Sequence, residues 1–172
     1  IVSAIPFWTK LQSEGFALTP LGGSDNHDPD AHDLGAVGAP VTFIEAQDLT
    51  PQALFDGIRK GRSFIAIDPS ARPLHLDFSA AGGGKSARMG GDLQLARALV
   101  RLMPDVQAPA GSVVEFHDGG TPIAELPIAD APSGVDVSLD AGTHHVHLRI
   151  RSGSGDLLAI GNAIRIDVAR DE

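Results

Sequence analysis

The chain has 172 residues, a net charge of −9 and no cysteine. This length suits one large domain or two small ones. The charge argues against nucleic acid as a partner, because an acidic surface repels a polyanion. Without cysteine there are no disulfides, zinc–thiolate sites or thiol catalysis. No apolar stretch reaches the roughly 20 residues that cross a bilayer, so we expect a soluble protein and no membrane partner. The compartment is left unknown, with the cytoplasm and the periplasm of a bacterium both open.

The sequence up to about residue 70 predicts alternating helices and strands. The second helix is the best marked, since Thr50 can act as an N-cap with Pro51 at the first helical position and Gly61 can end the helix. The order of elements indicates an α/β layer structure with parallel strands. The predicted elements are a helix from Ser3 to Gly15, a strand at 16–21, a loop at 22–40, a strand at 41–45, a helix at 50–61 and a strand at 63–67.

Beyond about residue 70 the sequence predicts strands and turns only. Pro69, Ala71 and Pro73 mark the boundary, so we expect two domains, 1–70 and 71–172. Tight turns at 118–120 and 140–142 are expected to join two hairpins. Short strands at regular spacing favour a small β-sandwich. The predicted strands lie at 74–78, 93–103, 113–117, 122–128, 135–139, 144–151, 157–160 and 163–168, with a glycine-rich loop at 82–91.

Asp25 and His27 are the clearest candidates for chemistry. They stand two residues apart, after Gly22 and Gly23, at the end of the short apolar strand predicted at 16–21. Carboxylate oxygen and imidazole nitrogen suit zinc, manganese or iron, and active sites of α/β proteins form at the C-terminal ends of strands. The spacing alone favours a simpler structure, an Asx-type turn followed by a solvated histidine.

An ordered set of motifs surrounds these two residues. In chain order they are Trp8, Gly15, Ser24-Asp25-Asn26-His27, Leu34-Gly35, Gly38-Ala39-Pro40-Val41-Thr42, Gly61-Arg62-Ser63-Phe64 and, more weakly, Gly161-Asn162-Ala163-Ile164. The set resembles the closing section of the PHP (polymerase and histidinol phosphatase) metallohydrolases, most nearly their CehA/McbA branch. The resemblance covers residues 1–70 well and the remainder weakly.

This resemblance implies the C-terminal part of a distorted (β/α)7 barrel, followed here by a β-sandwich. It implies two or three divalent metal ions (Zn, Mn or Fe), with Asp25 and His27 as ligands, and a metal-activated water that hydrolyses an ester-type bond of a small-molecule substrate. The substrate would be a phosphoester, a carbamate or a related ester. The family's His-x-His motif is absent from the chain, so the remaining ligands are expected from a missing N-terminal barrel segment of the same polypeptide, and the fragment alone is expected to be inactive.

Other polar residues allow two interpretations each. His32 is either a third ligand or, as we favour, part of a solvated acidic loop. His145 and His147 would share one face of a strand, where they either chelate a metal or, as we favour, face solvent. Arg62 either contacts an anionic substrate or forms a surface ion pair. The run Gly82-Gly83-Gly84-Lys85-Ser86 lacks the spacing of a phosphate loop.

The main alternative to a hydrolase is a non-catalytic module. In that interpretation the β-sandwich binds carbohydrate, peptide or a partner chain, and the loop with Asp25 and His27 is decayed or structural. A weaker option is a piece that serves oligomerisation, since an exposed strand edge favours pairing with another chain.

Overall fold

The computed structural model describes residues 4–28, 30, 36–68, 74–128 and 133–170. Within these residues the chain forms two helices and twelve strands. The helices are α1 (Ala4–Ser13) and α2 (Pro51–Arg59). The strands are β1 (Val41–Ile44), β2 (Ser63–Ala66), β3 (His75–Gly82), β4 (Lys85–Arg88), β5 (Asp92–Leu95), β6 (Leu99–Gln107), β7 (Val113–Asp118), β8 (Thr121–Pro127), β9 (Val135–Ser138), β10 (Gly142–Arg151), β11 (Leu157–Gly161) and β12 (Ile164–Val168).

The strands form a β-sandwich of two sheets. Sheet A contains eight strands, β1, β2, β5, β7, β8, β10, β11 and β12, and sheet B contains β3, β4, β6 and β9. Among the described strands, only β5 and β12 pair in parallel, and every other pairing is antiparallel. The predicted β-sandwich is therefore confirmed.

The main core fills the space between the two sheets. On β10, Val146, Leu148 and Ile150 are fully buried, because alternate side chains of a strand point to the same face. Phe116 of sheet A meets Phe78 of sheet B edge to face, with their ring centroids 5.6 Å apart. This aromatic pair links the two sheets at the centre of the sandwich.

A second, smaller core lies on the outer face of sheet A, beneath α1. It contains Trp8 of the helix, Ile65 and Ile67 at β2, and Ile160 and Ala163 around β11. All four residues of β2 are buried because that strand is covered on both faces, by sheet B on one side and by α1 on the other. The helix therefore forms a third layer over part of the sandwich.

The predicted α/β class with parallel strands, and with it the portion of a (β/α)7 barrel, is wrong. β1 and β2 flank α2 as expected, but they pair antiparallel, with Val41 opposite Ala66. No parallel strand–helix–strand unit occurs in the described residues. The pattern of apolar residues locates strands but carries no information on their direction, and a connection that contains a helix allows both directions.

Sheet A also runs across the predicted boundary at residue 70, since Ala66 of β2 pairs with Ala159 of β11. The segment predicted as a strand at 16–21 has no regular secondary structure and pairs with no described strand. The division into 1–70 and 71–172 remains a prediction.

Three local predictions also need correction. β9 belongs to sheet B and β10 to sheet A, so the turn at 140–142 connects the sheets and does not close a hairpin. The glycine-rich loop at 82–91 contains β4, which pairs with β3 around a tight turn. The single strand predicted at 93–103 is two strands, β5 and β6, which lie in different sheets. The alternation of polar and apolar residues continued from β5 into β6. The pattern alone therefore did not reveal that the chain changes sheet between these two strands.

The predicted boundaries of the second helix are confirmed. The Thr50 hydroxyl accepts a hydrogen bond from the N–H of Ala53 at 3.3 Å, as an N-cap does. Gly61 has a φ of +65°, which favours glycine. A Cβ at Gly61 would also lie 2.3 Å from the side-chain nitrogen of Asn162 and 2.8 Å from Gly90. The absence of a side chain at Gly61 thus lets the end of α2 approach sheet A.

The aromatic link between the sheets gives a first prediction. Phe116→Ala should lower the free energy of unfolding by about 3–5 kcal/mol, because the side chain is fully buried and its removal leaves a cavity. Leu99→Ala is the matched control. Its side chain is 62% exposed, so the change should stay within about 0.5 kcal/mol. Urea denaturation of the two variants checks both values, and equal losses would contradict this placement of the core.

Candidate functional site

Asp25 and His27 lie in an exposed loop with local hydrogen bonds. Asp25 has a φ of +49°, and Nδ1 of His27 lies 2.8 Å from the backbone carbonyl oxygen of Asp25. The Asn26 side chain donates to the carbonyl of Asp28 at 2.8 Å, and Asp28 accepts from the N–H of Asp30 at 3.0 Å. The Asx-type contact thus lies at Asp28, beyond Asp25 and Asn26, and both interpretations of Asp25 and His27 stay predictions.

The described residues contain no group of three or more His, Asp or Glu side chains arranged to hold a metal ion. Zinc, manganese or iron at Asp25 and His27 therefore stays a prediction. His32, the third candidate, lies outside the described residues.

Arg62 is partly buried and forms no ion pair with a described residue. Its backbone is fixed at the end of α2, where the N–H of Arg62 donates to the carbonyl of Gly57 at 2.9 Å and its own carbonyl accepts from Glu45 at 2.9 Å. Its Nη1 is buried and has no hydrogen-bond partner among the described residues. The surface ion pair is not found there, and a contact with an anionic substrate stays a prediction.

His147 is fully buried, so the favoured prediction of a solvent-facing side chain is wrong for this residue. α1 covers this part of the outer face of sheet A, and the edge of the Trp8 ring meets the His147 ring at a centroid distance of 5.1 Å. His145 lies two residues earlier on the same strand and is partly buried. The sequence placed both histidines on one face but did not indicate that a helix covers that face.

His147 belongs to a polar network that the sequence did not reveal. His117 lies opposite it on β7, with the two rings stacked 5.4 Å apart. His117 Nε2 lies 3.0 Å from Glu115, and Glu115 also accepts from Arg151 at 2.8 Å. Arg149 donates through Nε to His147 Nε2 at 3.1 Å. The only sequence signal was polar alternation on β7 and β10, and that pattern is also typical of a solvated sheet face.

Burial keeps the two histidines neutral at physiological pH. It lowers the pKa of His147 well below the usual value of 6.5, and the charge of Arg149 adds to this effect. Burial also lowers the pKa of His117. The hydrogen bond to Glu115 raises this pKa, but the charges of Arg149 and Arg151 lower it, so that the net shift is downward. Burial alone would raise the pKa of Glu115, but hydrogen bonds from His117 and Arg151 reverse the shift and lower it. Nδ1 of each histidine is buried without a hydrogen-bond partner among the described residues, and this lowers the stability of the folded chain. Proton uptake would lower it further, because it would bury a charge.

Two cavities border α1. The larger has a volume of about 570 Å³ and lies between residues 12–19 and the neighbouring strands of sheet A. Its lining includes Gln12, Phe16, Leu18, Arg59, His145 and Arg165. The smaller, of about 490 Å³, lies between α1 and the turn that joins β7 to β8. We define the N-terminal layer as α1, the segment 14–22, β1 and α2. Residues of this layer form one wall of each cavity.

Comparisons with known proteins give only distant similarities. No protein family and no curated protein matches the chain. A fibronectin(III)-like module structure of CbhA from Clostridium thermocellum superposes with a TM-score of 0.35 and 13% identity, covering 47% of this chain and 89% of that one. The crystal structure of CopC from Methylosinus trichosporium OB3b gives a TM-score of 0.29 and 21% identity, with coverages of 47% and 88%.

The assignment to the PHP metallohydrolases, including a phosphoesterase or other hydrolase activity, is wrong. That prediction required part of a barrel, and the described residues form a β-sandwich with one helix on its outer face. The fold instead fits the alternative, a non-catalytic β-sandwich module for binding or interaction. Neither helix of the described part is long enough to cross a membrane, since α1 has ten residues and α2 has nine.

The buried histidines give a prediction for the pH dependence of stability. In the unfolded chain His117 and His147 titrate near pH 6.5, whereas in the folded chain their pKa values are lower, so the unfolded state binds more protons. The free energy of unfolding should therefore decrease as the pH falls through 6.5 toward the lower pKa values of the folded chain. In His147→Gln this decrease should be smaller than in the wild type, as measured by urea denaturation between pH 8 and pH 5.

Two further histidines affect how this test is interpreted: His144 contributes an opposite pH dependence, and His75 serves as the control. Burial lowers the pKa of His144, but hydrogen bonds to Asp118 and Asp140 raise it overall, so His144 adds stability as the pH falls and partly masks the effect. The informative quantity is the difference between variant and wild type. His75→Gln is the matched control, because that side chain is exposed and lies outside the network. Parallel pH curves for His147→Gln and the wild type would show that His147 does not titrate differently on folding.

Proposed function

We propose that this chain is a non-catalytic interaction module that binds an extended polypeptide segment along residues 16–21. One observation carries the proposal. Of the eight large apolar side chains that are exposed in the described residues, seven lie between Phe7 and Phe55, and Leu99 alone lies in the rest of the sandwich. Within this stretch Phe16 and Leu18 line one cavity, and exposed apolar side chains that gather on one surface mark an interaction site.

The central part of this surface is defined here by Phe16, Leu18 and Phe55, and is called the docking surface. Phe16 and Leu18 are 54% and 39% exposed, and both line the larger cavity. Arg59 lines the same cavity, and its guanidinium lies 5.9 Å from the centre of the Phe55 ring, which is 56% exposed. Shared contacts with the cavity and with Arg59 thus connect the three apolar side chains.

The backbone of this segment is held by side chains and has unused hydrogen-bonding groups. Trp8 Nε1 donates to the carbonyl of Leu18 at 3.1 Å, the hydroxyl of Thr19 donates to the carbonyl of Ile58 at 2.8 Å, and Thr42 accepts from the N–H of Gly22 at 2.8 Å. The N–H groups of residues 17–19 and 21 make no backbone hydrogen bond to a described residue. A segment with unused backbone groups can pair with an added strand, as occurs in β-augmentation.

The chemistry of the docking surface favours a different polypeptide over a second copy of this chain. Phe16 and Leu18 are two residues apart and line the same cavity, so they suit a partner strand with apolar residues at alternate positions. A second copy would bring another net charge of −9 toward the same surface, which is unfavourable. We therefore assign an extended segment with alternating apolar residues and basic flanks.

A synthetic peptide of alternating valine and threonine with lysine at both ends tests the proposal. Trp8 is the single tryptophan of the chain and is bonded to Leu18, so its fluorescence reports binding at the segment. The wild type should bind saturably. Leu18→Ser should weaken binding about tenfold or more, because the apolar contact is lost. Leu99→Ser, which changes an exposed leucine of sheet B, should leave the affinity within about twofold.

The same peptide with N-methyl groups on alternate residues separates backbone pairing from apolar contact. It keeps every side chain but can donate from one edge only, so two such peptides, methylated on the valines and on the threonines respectively, are compared, and we expect at least one of them to bind about tenfold more weakly. Equal affinity of both methylated peptides and the unmethylated peptide would disprove strand addition. Absence of saturable binding by the wild type, or equal effects of Leu18→Ser and Leu99→Ser, would disprove the docking surface.

A further inference from the structure

The smaller cavity differs from the docking surface in its charge. It has a volume of about 490 Å³ and lies between α1 and the turn that joins β7 to β8. Its ionisable lining residues are Lys10 and Arg149, and both are cations. No carboxylate belongs to its lining in the described part of the chain. In a protein with a net charge of −9, an all-cationic cavity is unexpected without an anion to fill it.

Arg149 is held in one orientation by the buried histidine network. Its Nε donates to Nε2 of His147 at 3.1 Å. The His147 ring is itself fixed between Trp8, at a centroid distance of 5.1 Å, and His117, at 5.4 Å. An arginine anchored through Nε keeps the two terminal nitrogens of its planar fork for another acceptor. This geometry suits bidentate binding of two oxygen atoms.

The charge of Arg149 is not neutralised by an ion pair with any described residue. The neighbouring arginine on the same face, Arg151, pairs with Glu115 at 2.8 Å, whereas Arg149 is in register with Glu115 but forms no such pair. Burial and then Arg151 lower the pKa of Arg149, and Glu115 opposes this shift only in part. A partly buried cation of this kind is stabilised by a counter-charge, and a bound anion supplies one.

Lys10 is available as a second cation. Its only ion pair in the described residues is with Glu14 at 3.7 Å, one helical turn away, and both side chains are largely exposed. Exposed pairs at this spacing contribute little to stability, so an anion in the cavity can replace Glu14 at little cost.

The wall opposite α1 is formed by two glycines. The N–H of Gly119 donates to the carbonyl of His145 at 3.0 Å, while the N–H of Gly120 makes no backbone hydrogen bond to a described residue. No heavy atom lies within 4 Å of the position that a Cβ would occupy at either glycine, so the backbone is open to a close approach. Ile5 and Pro6 add an apolar part to the lining.

From these features we propose that the cavity between α1 and the β7–β8 turn binds a small molecule through an oxyanion group, with Arg149 as the anchor and Lys10 as the second cation. The oxyanion is a phosphate, sulfate or carboxylate group, and the carbon skeleton that carries it contacts Ile5 and Pro6. The site is distinct from the docking surface, because none of Phe16, Leu18 and Phe55 lines it.

Titration of the folded chain with inorganic phosphate, sulfate and acetate at constant ionic strength tests this site. Trp8 fluorescence is the readout, since Trp8 contacts the ring that holds Arg149. We expect saturable binding in the millimolar range for at least one of the three anions. The order of the three affinities identifies the oxyanion class. Arg149→Gln should weaken binding at least about tenfold, and Lys10→Gln about two- to threefold.

Arg101→Gln is the matched control. Arg101 is an exposed arginine of sheet B that pairs with Asp136 at 3.1 Å, and its loss should leave the anion affinity unchanged. Arg149→Lys keeps the charge but loses the planar fork, so its anion affinity should lie between those of the wild type and Arg149→Gln. This intermediate value, together with an unchanged circular dichroism spectrum, would show that the loss in Arg149→Gln is not caused by misfolding. If none of the three anions saturates the wild type, or if Arg149→Gln and Arg101→Gln bind equally well, the site does not exist.

Discussion

The arrangement of the N-terminal layer depends on the packing of Trp8 against the outer face of sheet A. Trp8 is only 7% exposed, and it closes the small core that contains Ile65, Ile67 and Ile160. The same side chain bonds to the carbonyl of Leu18, so it fixes both α1 and the segment that follows. A large aromatic side chain can do this because it combines a wide apolar surface with one hydrogen-bond donor. Both cavities are lined in part by α1, so their shape depends on this contact.

The packing of Trp8 on sheet A also buries polar side chains, which is unfavourable for the stability of the fold. The strand β10 presents His147 and Arg149 to the side that α1 covers, while its apolar residues face the core. His147 remains neutral there because burial lowers its pKa, and its Nδ1 has no partner among the described residues. Such a cost is tolerated when the group has another role. Here the ring accepts from Arg149 and sets the direction of that guanidinium.

Much of the local structure could be predicted from the sequence. Thr50 and Pro51 located the start of α2, and the turn at Gly119-Gly120 located the hairpin of β7 and β8, because these residue types have specific backbone requirements. Strand direction was not predictable, since Val41–Ile44 looks the same whether its neighbour is parallel or antiparallel. The alternation of polar and apolar residues continued through residues 93–103 and hid the change of sheet between β5 and β6.

The candidate sites were less predictable than the fold, for a related reason. A motif such as Asp25-Asn26-His27 can be recognised because its residues are adjacent, but the network of His117, His147 and Arg149 joins two strands across some thirty positions. Trp8, which packs on this network, lies more than a hundred positions earlier in the chain. Polar residues on alternate positions of β10 are typical of a solvated face. Only the position of α1 shows that this face is buried, and that position depends on tertiary contacts of a ten-residue helix that is too short to be stable alone.

The two proposed sites are physically linked through α1. Lys10 and Arg149 border the smaller cavity, and Trp8, on the same helix as Lys10, binds the carbonyl of Leu18 in the docking surface. In that proposal, an anion held by α1 and β10 together would stabilise the docked position of the helix, and the docked helix would fix residues 16–21 for a partner. If each site requires α1 in the same place, the free energy of binding at one site favours binding at the other by an equal amount. The contact of Trp8 with the outer face of sheet A would then set the coupling between the proposed small ligand and the proposed polypeptide partner.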